Sequence, residues 1–226
     1  DAKSSAKQLS EEELLAAARQ IDIRIKKIYD KKNAEQPADA SDSVFLRRSF
    51  LLAVGRIPTV EEARVYLESD DPNKRVLLVR YLMNSKGYES HMSNWLIDML
   101  RVREKFENRF TAAPYMDWVR QAVADNKPYN ELTRELLSAE GALWENGAVG
   151  YYIRDKGMPL DNLSNTMRLF LGTRMECAQC HDDPFNDWER MDFFRLAAFT
   201  DGQGEINRDV YSSVWKKVRA ENELRS

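Results

Sequence analysis

Residues 169–199 read LFLGTRMECAQCHDDPFNDWERMDFFRLAAF, and this stretch decides what the chain folds around. Within it, residues 177–181 spell C-x-x-C-H, the attachment motif of a c-type haem. Two thiols at this spacing can form thioethers with the two vinyl groups on one porphyrin edge, and the adjacent imidazole can then bind the iron. The motif predicts one covalent haem c, held by Cys177 and Cys180, with His181 as the proximal iron ligand.

The motif is too specific to be a coincidence of composition. The chain has 2 cysteines and 2 histidines among 226 residues, and this pattern would arise by chance in roughly one such chain in 10,000. A zinc site is one alternative, with His91 or a carboxylate as the fourth ligand. A thioredoxin-like cysteine pair is another, but it needs a preceding strand, whereas both flanks of the motif predict helices.

Apolar periodicity predicts an all-α fold. Helices are predicted over residues 11–30, 44–54, 72–83, 88–105, 114–125, 129–139, 160–171 and 187–199, and another after Thr59. No run of alternating β-branched residues competes with this pattern. We therefore expect an irregular multi-helix domain wrapped around the covalently attached haem.

Local signals predict where several helices begin. Ser10 with Glu13, and Thr59 with Glu62, stand at the two positions of a capping box. Asp71 precedes a proline and is predicted to be an N-cap with proline at the first helical position.

The same patterns divide the chain into four segments. Residues 1–30 are predicted to form an N-terminal amphipathic helix, and residues 31–42 (KKNAEQPADASD) a linker, because they lack periodicity and contain a proline. Residues 43–200 are the predicted cytochrome c-like domain. Residues 201–226 are predicted to be a charged C-terminal extension.

Charge and hydropathy argue against a nucleic-acid partner and against a membrane-spanning segment. The net charge is −3, the sequence pI is about 5.6 and the signs are intermixed, so we expect no nucleic-acid partner. No apolar run approaches the roughly 20 residues of a membrane-spanning helix, so we expect no transmembrane segment. The chain begins at Asp1, from which we expect a processed protein or one whose targeting segment has been removed.

Four stretches resemble the planctomycete-type cytochrome c family across about residues 43 to 200. They are Phe45 to Ser69, Tyr88 to Arg101, Trp118 to Gly141 and, most specifically, Leu169 to Phe199. The resemblance implies an exported haem protein, commonly one module of a longer chain with further cytochrome or carbohydrate-binding modules.

The chain departs from many relatives at two positions of this resemblance. Asp183 stands where they have the second histidine of C-H-D-H-P-F, and Asn94 stands where they have a histidine before the helix tryptophan. Neither position can supply an imidazole to iron in this chain.

The sequence leaves the sixth iron ligand open. His91 is the only other histidine, and on a helix it shares a face with Trp95 and Asp98. Met191 is an alternative among eight methionines. The third possibility is an open or water-bound iron. Two histidine ligands would set a low potential, a methionine would raise it, and an open position would allow chemistry on a bound molecule.

Further residues near the motif are candidates for haem binding. Pro184 and Phe185 are predicted to hold the edge of the ring, and Trp188 to pack on the macrocycle with the phenylalanines that follow it. Arg174, together with Arg168, could pair with the propionates, because arginine binds carboxylates through two hydrogen bonds.

These observations favour an electron-transfer protein over a catalyst. The leading hypothesis is an exported monohaem c-type cytochrome, periplasmic, extracellular or on the cell surface, because covalent haem attachment takes place outside the bacterial cytoplasm. It would pass single electrons between unidentified redox partner proteins, which could include further modules of the same chain. The alternatives are a haem enzyme or small-molecule sensor with an open sixth position, and a helical interaction module of a larger exported protein.

Overall fold

The computed structural model describes residues 10–106, 110–155 and 158–199. Within these ranges every regular element is helical, apart from one isolated antiparallel bridge between Lys105 and Thr111, so the predicted all-α class is confirmed. The α-helices are α1 Glu11–Lys32, α2 Asp42–Val54, α3 Val60–Leu67, α4 Lys74–Met83, α5 Lys86–Met99, α6 Ala113–Ala124, α7 Tyr129–Leu137, α8 Gly150–Ile153, α9 Pro159–Phe170 and α10 Arg190–Ala197. Two short 3₁₀ turns cover Gly147–Val149 and Cys177–Gln179.

The chain separates into two compact units, with the boundary between Ser85 and Lys86. This boundary falls inside the predicted domain of residues 43–200, whose limits stay a prediction. The predicted extension over residues 201–226 lies outside the described residues. None of the described helices has the length and apolar character needed to span a membrane.

Helix α1 begins where its capping signal predicts. The Ser10 N–H donates to Glu13 Oε2 at 2.7 Å, and the Glu13 N–H donates to Ser10 Oγ at 3.2 Å. The helix ends at Asn33, which takes the left-handed conformation at φ 52°. Its apolar side chains, Ile21 among them, are exposed.

Helices α2, α3 and α4 form the core of the first unit. Leu46 and Phe50 from α2 meet Tyr66 from α3 and Leu78 and Leu82 from α4. All five side chains are buried, so the apolar stripes of three short helices account for this core.

The predicted N-cap at Asp71 is wrong. Helix α4 begins at Lys74, and Asp71 Oδ1 instead accepts the N–H of Asn73 at 2.7 Å. An aspartate can hold the chain two residues ahead in such a turn as readily as it caps a helix. The sequence signal was therefore real, but it marked the turn before the helix.

The second unit is built around a central core supplied by α5, α6, α7 and α8. Tyr115, Val119, Leu136 and Tyr151 are completely buried in it. Gly150 lies against the Tyr115 ring so closely that an added Cβ would stand 2.4 Å from the ring atom Cγ. A glycine is required there because any Cβ would collide with the buried Tyr115 side chain.

Helix α5 ends six residues before the predicted limit of residue 105. Arg101 takes the left-handed conformation at φ 56°, its N–H donates to the Asp98 carbonyl, and the N–H of Val102 donates to the Ile97 carbonyl. This is a Schellman-type ending, which glycine usually provides. No glycine marks the stop, so the sequence pattern gave no warning of it.

A buried ion pair joins three parts of the second unit. The Arg154 guanidinium pairs with Asp155, and these side chains are only 5% and 4% exposed. Arg154 also donates to the Leu100 carbonyl at the end of α5. From α9, Asn162 Nδ2 donates to Asp155 Oδ2 at 3.1 Å and to the Tyr151 carbonyl at 3.2 Å. The pair thereby fixes α9 against the central core.

A separate cluster, here called the motif core, lies beneath residues 175–197. Its buried members are Leu160, Leu163, Met167, Met175, Ala178, Phe193, Phe194 and Ala197. They come from α9, the second 3₁₀ turn and its approach, and α10. The predicted helix of residues 187–199 is shorter than expected, because α10 begins at Arg190 after Glu189 and Asp192 form a capping box.

We expect Glu62 to make the first unit less stable in acid. Its carboxylate accepts two hydrogen bonds from Arg56 at 2.8 Å and one from the Thr59 N–H at 2.7 Å, and these hold its pKa at about 2 instead of 4.5. A carboxylate whose pKa is lower in the folded chain than in the unfolded chain stabilises the fold at pH values above its unfolded-state pKa. This stability is lost as the pH falls to the folded-state pKa. Because Arg56 is half exposed, the loss between these pH values should be about 1 kcal/mol.

Urea unfolding of the wild type and of Glu62→Gln across this pH range measures the effect. The variant should lose this part of the pH dependence, whereas Glu61→Gln, an exposed neighbour, should keep it. Identical pH profiles for the wild type and Glu62→Gln would contradict the assignment.

Candidate haem-attachment site

The second 3₁₀ turn determines how the two cysteines are presented. The Cys180 N–H donates to the Cys177 carbonyl at 3.1 Å, and the His181 N–H donates to the same carbonyl at 3.2 Å. In a 3₁₀ turn the side chains of residues i and i+3 lie on the same side, so both thiols face one way. Ala178 lies between them and is completely buried in the motif core, which anchors the turn.

The residues of the predicted motif are accessible. Cys177 and Cys180 are exposed free thiols, and His181 is exposed next to them. Met175, two residues before the first cysteine, is 0% exposed, and its carbonyl accepts the Ala178 N–H at 3.0 Å. The chain therefore buries the apolar residues around the motif and leaves the three reactive side chains on the surface.

A backbone hydrogen bond orients the His181 ring. Nδ1 lies 2.7 Å from the Asp182 carbonyl oxygen. Since a carbonyl oxygen only accepts, Nδ1 must carry the proton, and in the neutral ring the lone pair is then on Nε2. A ligand histidine is usually prepared in this way, with one nitrogen held by the protein and the other left for the metal.

The loop after the motif is held by its own side chains. Asp183 accepts the Phe185 N–H at 2.9 Å and a hydrogen bond from Asn186 Nδ2 at 3.2 Å. These bonds, the backbone one first, lower the pKa of Asp183 below its usual value. Asp182 Oδ1 accepts the Arg190 N–H at 2.8 Å, which connects the residue after His181 to the start of α10.

Trp188 lies at the edge of the motif core. Its indole Nε1–H donates to Thr173 Oγ1 at 3.1 Å, and its carbonyl accepts the Asp183 N–H at 2.9 Å. The half-buried ring packs against the motif core. Residues on both sides of the motif are thereby joined by one side chain. Sequence reasoning selected Trp188 but missed Thr173, because a lone threonine carries no signal of its partner.

A cleft of about 550 Å³ opens beside Cys177. This volume is in the range of small-molecule and cofactor sites. Its lining contains Arg168, Arg174 and Phe185, all proposed from the sequence. Phe185, at the edge of this cleft, is 85% exposed. Pro184 is also exposed, whereas Phe193 and Phe194 are completely buried.

The two candidate distal ligands lie in different surroundings. Met191, on α10, is half-buried and packs against the motif core. His91 is half-buried on α5, a helix of the central core, and neither His91 nor Met191 is part of the cleft lining. Both stay predictions. Among the residues that the structure describes, no group of three or more His, Cys, Asp or Glu side chains is arranged to hold a metal ion.

The chain matches a known protein family. The family model described as PSCyt2, a protein of unknown function (DUF1549), matches residues 20–204, which is more than half of the chain. No curated protein and no solved structure matches.

We expect both cysteines of the folded, haem-free chain to react with a maleimide, because both thiols are exposed. Intact-mass measurement should find two labels on the native wild type and one on Cys180→Ser. Denatured samples give the full count as the control. Labelling that occurs only after denaturation would show that the turn is not accessible as described.

Proposed function

Because the chain belongs to the PSCyt2 family, whose name denotes a planctomycete cytochrome-type domain of unknown function, we propose that it is an exported monohaem c-type cytochrome. It would carry single electrons between redox partner proteins in the periplasm or outside the cell. The single observation that carries the proposal is the attachment turn, in which two exposed thiols face one way beside a histidine with its Nε2 lone pair free.

The cysteine pair, the histidine and the aromatic side chains of the site each suit haem c. Cys177 and Cys180 would hold it through thioethers, and His181 Nε2 would bind the iron. When bound, haem supplies an iron that exchanges one electron at a time. The exposed Phe185 ring and the edge of Trp188 would be covered by the apolar macrocycle.

Two of the four charged residues of the cleft, Arg168 and Arg174, suit the acidic groups of haem, and the other two are Glu176 and Asp183. Arg174 forms no ion pair within the described residues, and Arg168 donates only to Asn165 Oδ1, at 3.1 Å. Two guanidinium groups beside Cys177 could each bind a propionate through paired hydrogen bonds. The role of the chain is thus to orient the imidazole, to cover the ring with apolar groups and to neutralise its carboxylates.

The distal side of the iron decides between electron transfer and chemistry on a bound molecule. His91 or Met191 would complete a six-coordinate iron, and we propose that one of them does. A histidine there would lower the potential and a methionine would raise it. An iron with no distal side chain would instead favour the enzyme or sensor alternative.

We expect protein matured in a haem-attaching bacterial periplasm to carry one covalent haem and to show a sharp low-spin spectrum when reduced. Carbon monoxide should leave this spectrum unchanged, because a protein ligand would occupy each axial position. Absorption spectra of the oxidised, reduced and gas-treated protein test this, and Cys177→Ser/Cys180→Ser, which should lose covalent haem, is the control. A gas-sensitive spectrum would favour a catalytic or sensing haem. Absence of covalent haem from the wild type would reject the proposal.

Replacing the axial side chains should separate their roles. His181→Ala should retain thioether-linked haem but lose the wild-type ligand spectrum, and an unchanged spectrum would reject His181 as the proximal ligand. His91→Ala should convert the iron to a high-spin state if His91 is the distal ligand, whereas Met191→Leu should do so if the methionine is. Met175→Leu, a replacement inside the motif core, serves as the matched control.

A further inference from the structure

A second concave surface of the second unit lies away from the attachment turn. It is a cleft of about 250 Å³ at the end of α5, and it shares no residue with the cleft beside Cys177. Its charged lining residues are Arg101, Arg103, Lys105, Arg154 and Asp155. Four positive side chains and one negative side chain thus surround a small volume.

The order of residues along the chain produces this concentration of charge. Arg101, Arg103 and Lys105 occupy alternate positions, and all three are exposed. Phe106 is buried in the central core, and Val102 packs against the same core. The apolar side chains therefore fix one side of this segment to the protein, and the basic side chains line the cleft.

The buried ion pair leaves these three cations without compensation. Asp155 is matched by Arg154, and its Oδ2 atom also accepts a hydrogen bond from Asn162. Among the described residues, Arg101, Arg103 and Lys105 form no ion pair with an acidic side chain. Like charges held in one small cleft repel one another, so an anion placed among them is strongly favoured.

The backbone around the cleft is fixed before any ligand binds. Arg154 donates to the Leu100 carbonyl, and the Ala112 N–H donates to the Glu104 carbonyl at 2.9 Å. Between these anchors, Arg101 keeps the left-handed conformation that favours glycine. The Schellman-type ending of α5 thus places Arg101 at the edge of the cleft.

We infer that this cleft binds a small dianionic oxyanion, either free phosphate or the phosphate group of a small molecule. The planar guanidinium groups of Arg101 and Arg103 match two oxygens of such a group, and Lys105 adds a third positive charge. Sites for drug-sized ligands have volumes of roughly 300 to 1,000 Å³, and this cleft is smaller. Any substituent on the phosphate must therefore be small. This inference does not rest on the proposed haem.

Titration calorimetry of the full chain with inorganic phosphate tests the inference. The titration is made at about pH 8, where phosphate is a dianion, and chloride keeps the ionic strength constant. We expect saturable binding to one site. Arg103→Gln should weaken it at least about tenfold, the effect of one lost charge-assisted hydrogen bond. Arg134→Gln, the same change of charge on the exposed side of α7, should leave it unaltered.

A second variant separates binding from folding. Arg101→Gly removes a cation but supplies the residue that a left-handed position favours, so it should raise the Tm in chloride by about 2 to 4 °C and still weaken phosphate binding. A methyl phosphate titration tells whether the site accepts a substituted phosphate or the free ion only. No saturable heat with phosphate, or an equal loss of affinity in Arg134→Gln, would overturn the inference.

Discussion

The ion pair between Arg154 and Asp155 is the interaction on which the second unit depends. It lies almost completely out of water and is bonded to the Leu100 carbonyl on one side and to Asn162 on the other. A buried pair adds little net stability compared with an apolar replacement, but removal of one partner leaves an uncompensated charge at a cost of about 3 to 5 kcal/mol. The pair bonds the end of α5 and the side of α9 to the central core.

Helix α9 transmits this order to the attachment turn. Asn162 and Thr166 bond to the central core, the latter through a 2.7 Å contact between its hydroxyl and that of Tyr151. Leu163 and Met167, on the same helix, belong to the motif core that carries Ala178. One helix thus has polar contacts on one side and apolar contacts on another. The reactive residues stay on the surface because the residues between them are fixed from below.

The sequence predicted much of what depends on neighbouring residues, except the N-cap at Asp71 and the start of α10, and it missed what depends on distant ones. The capping boxes at Ser10 and Thr59 are confirmed because each is complete within four residues. The attachment motif was recognisable for the same reason. The end of α5 was misplaced because an arginine, Arg101, takes a glycine conformation there, held by the chain's own carbonyls and by Arg154. The hydrogen bond from Asn162 to Asp155 left no local pattern, and neither did the cationic cleft.

The make-up of the motif core has a consequence for folding kinetics. All its buried members lie within residues 160–197, on elements that follow one another directly along the chain. Contacts of such short sequence separation require little loop closure, so they form quickly. The motif core can therefore be assembled by its own stretch of chain, without waiting for the contact between Arg154 and the Leu100 carbonyl, which are 54 residues apart in sequence. The cysteines would then be presented early, while the rest of the second unit is still completing its core.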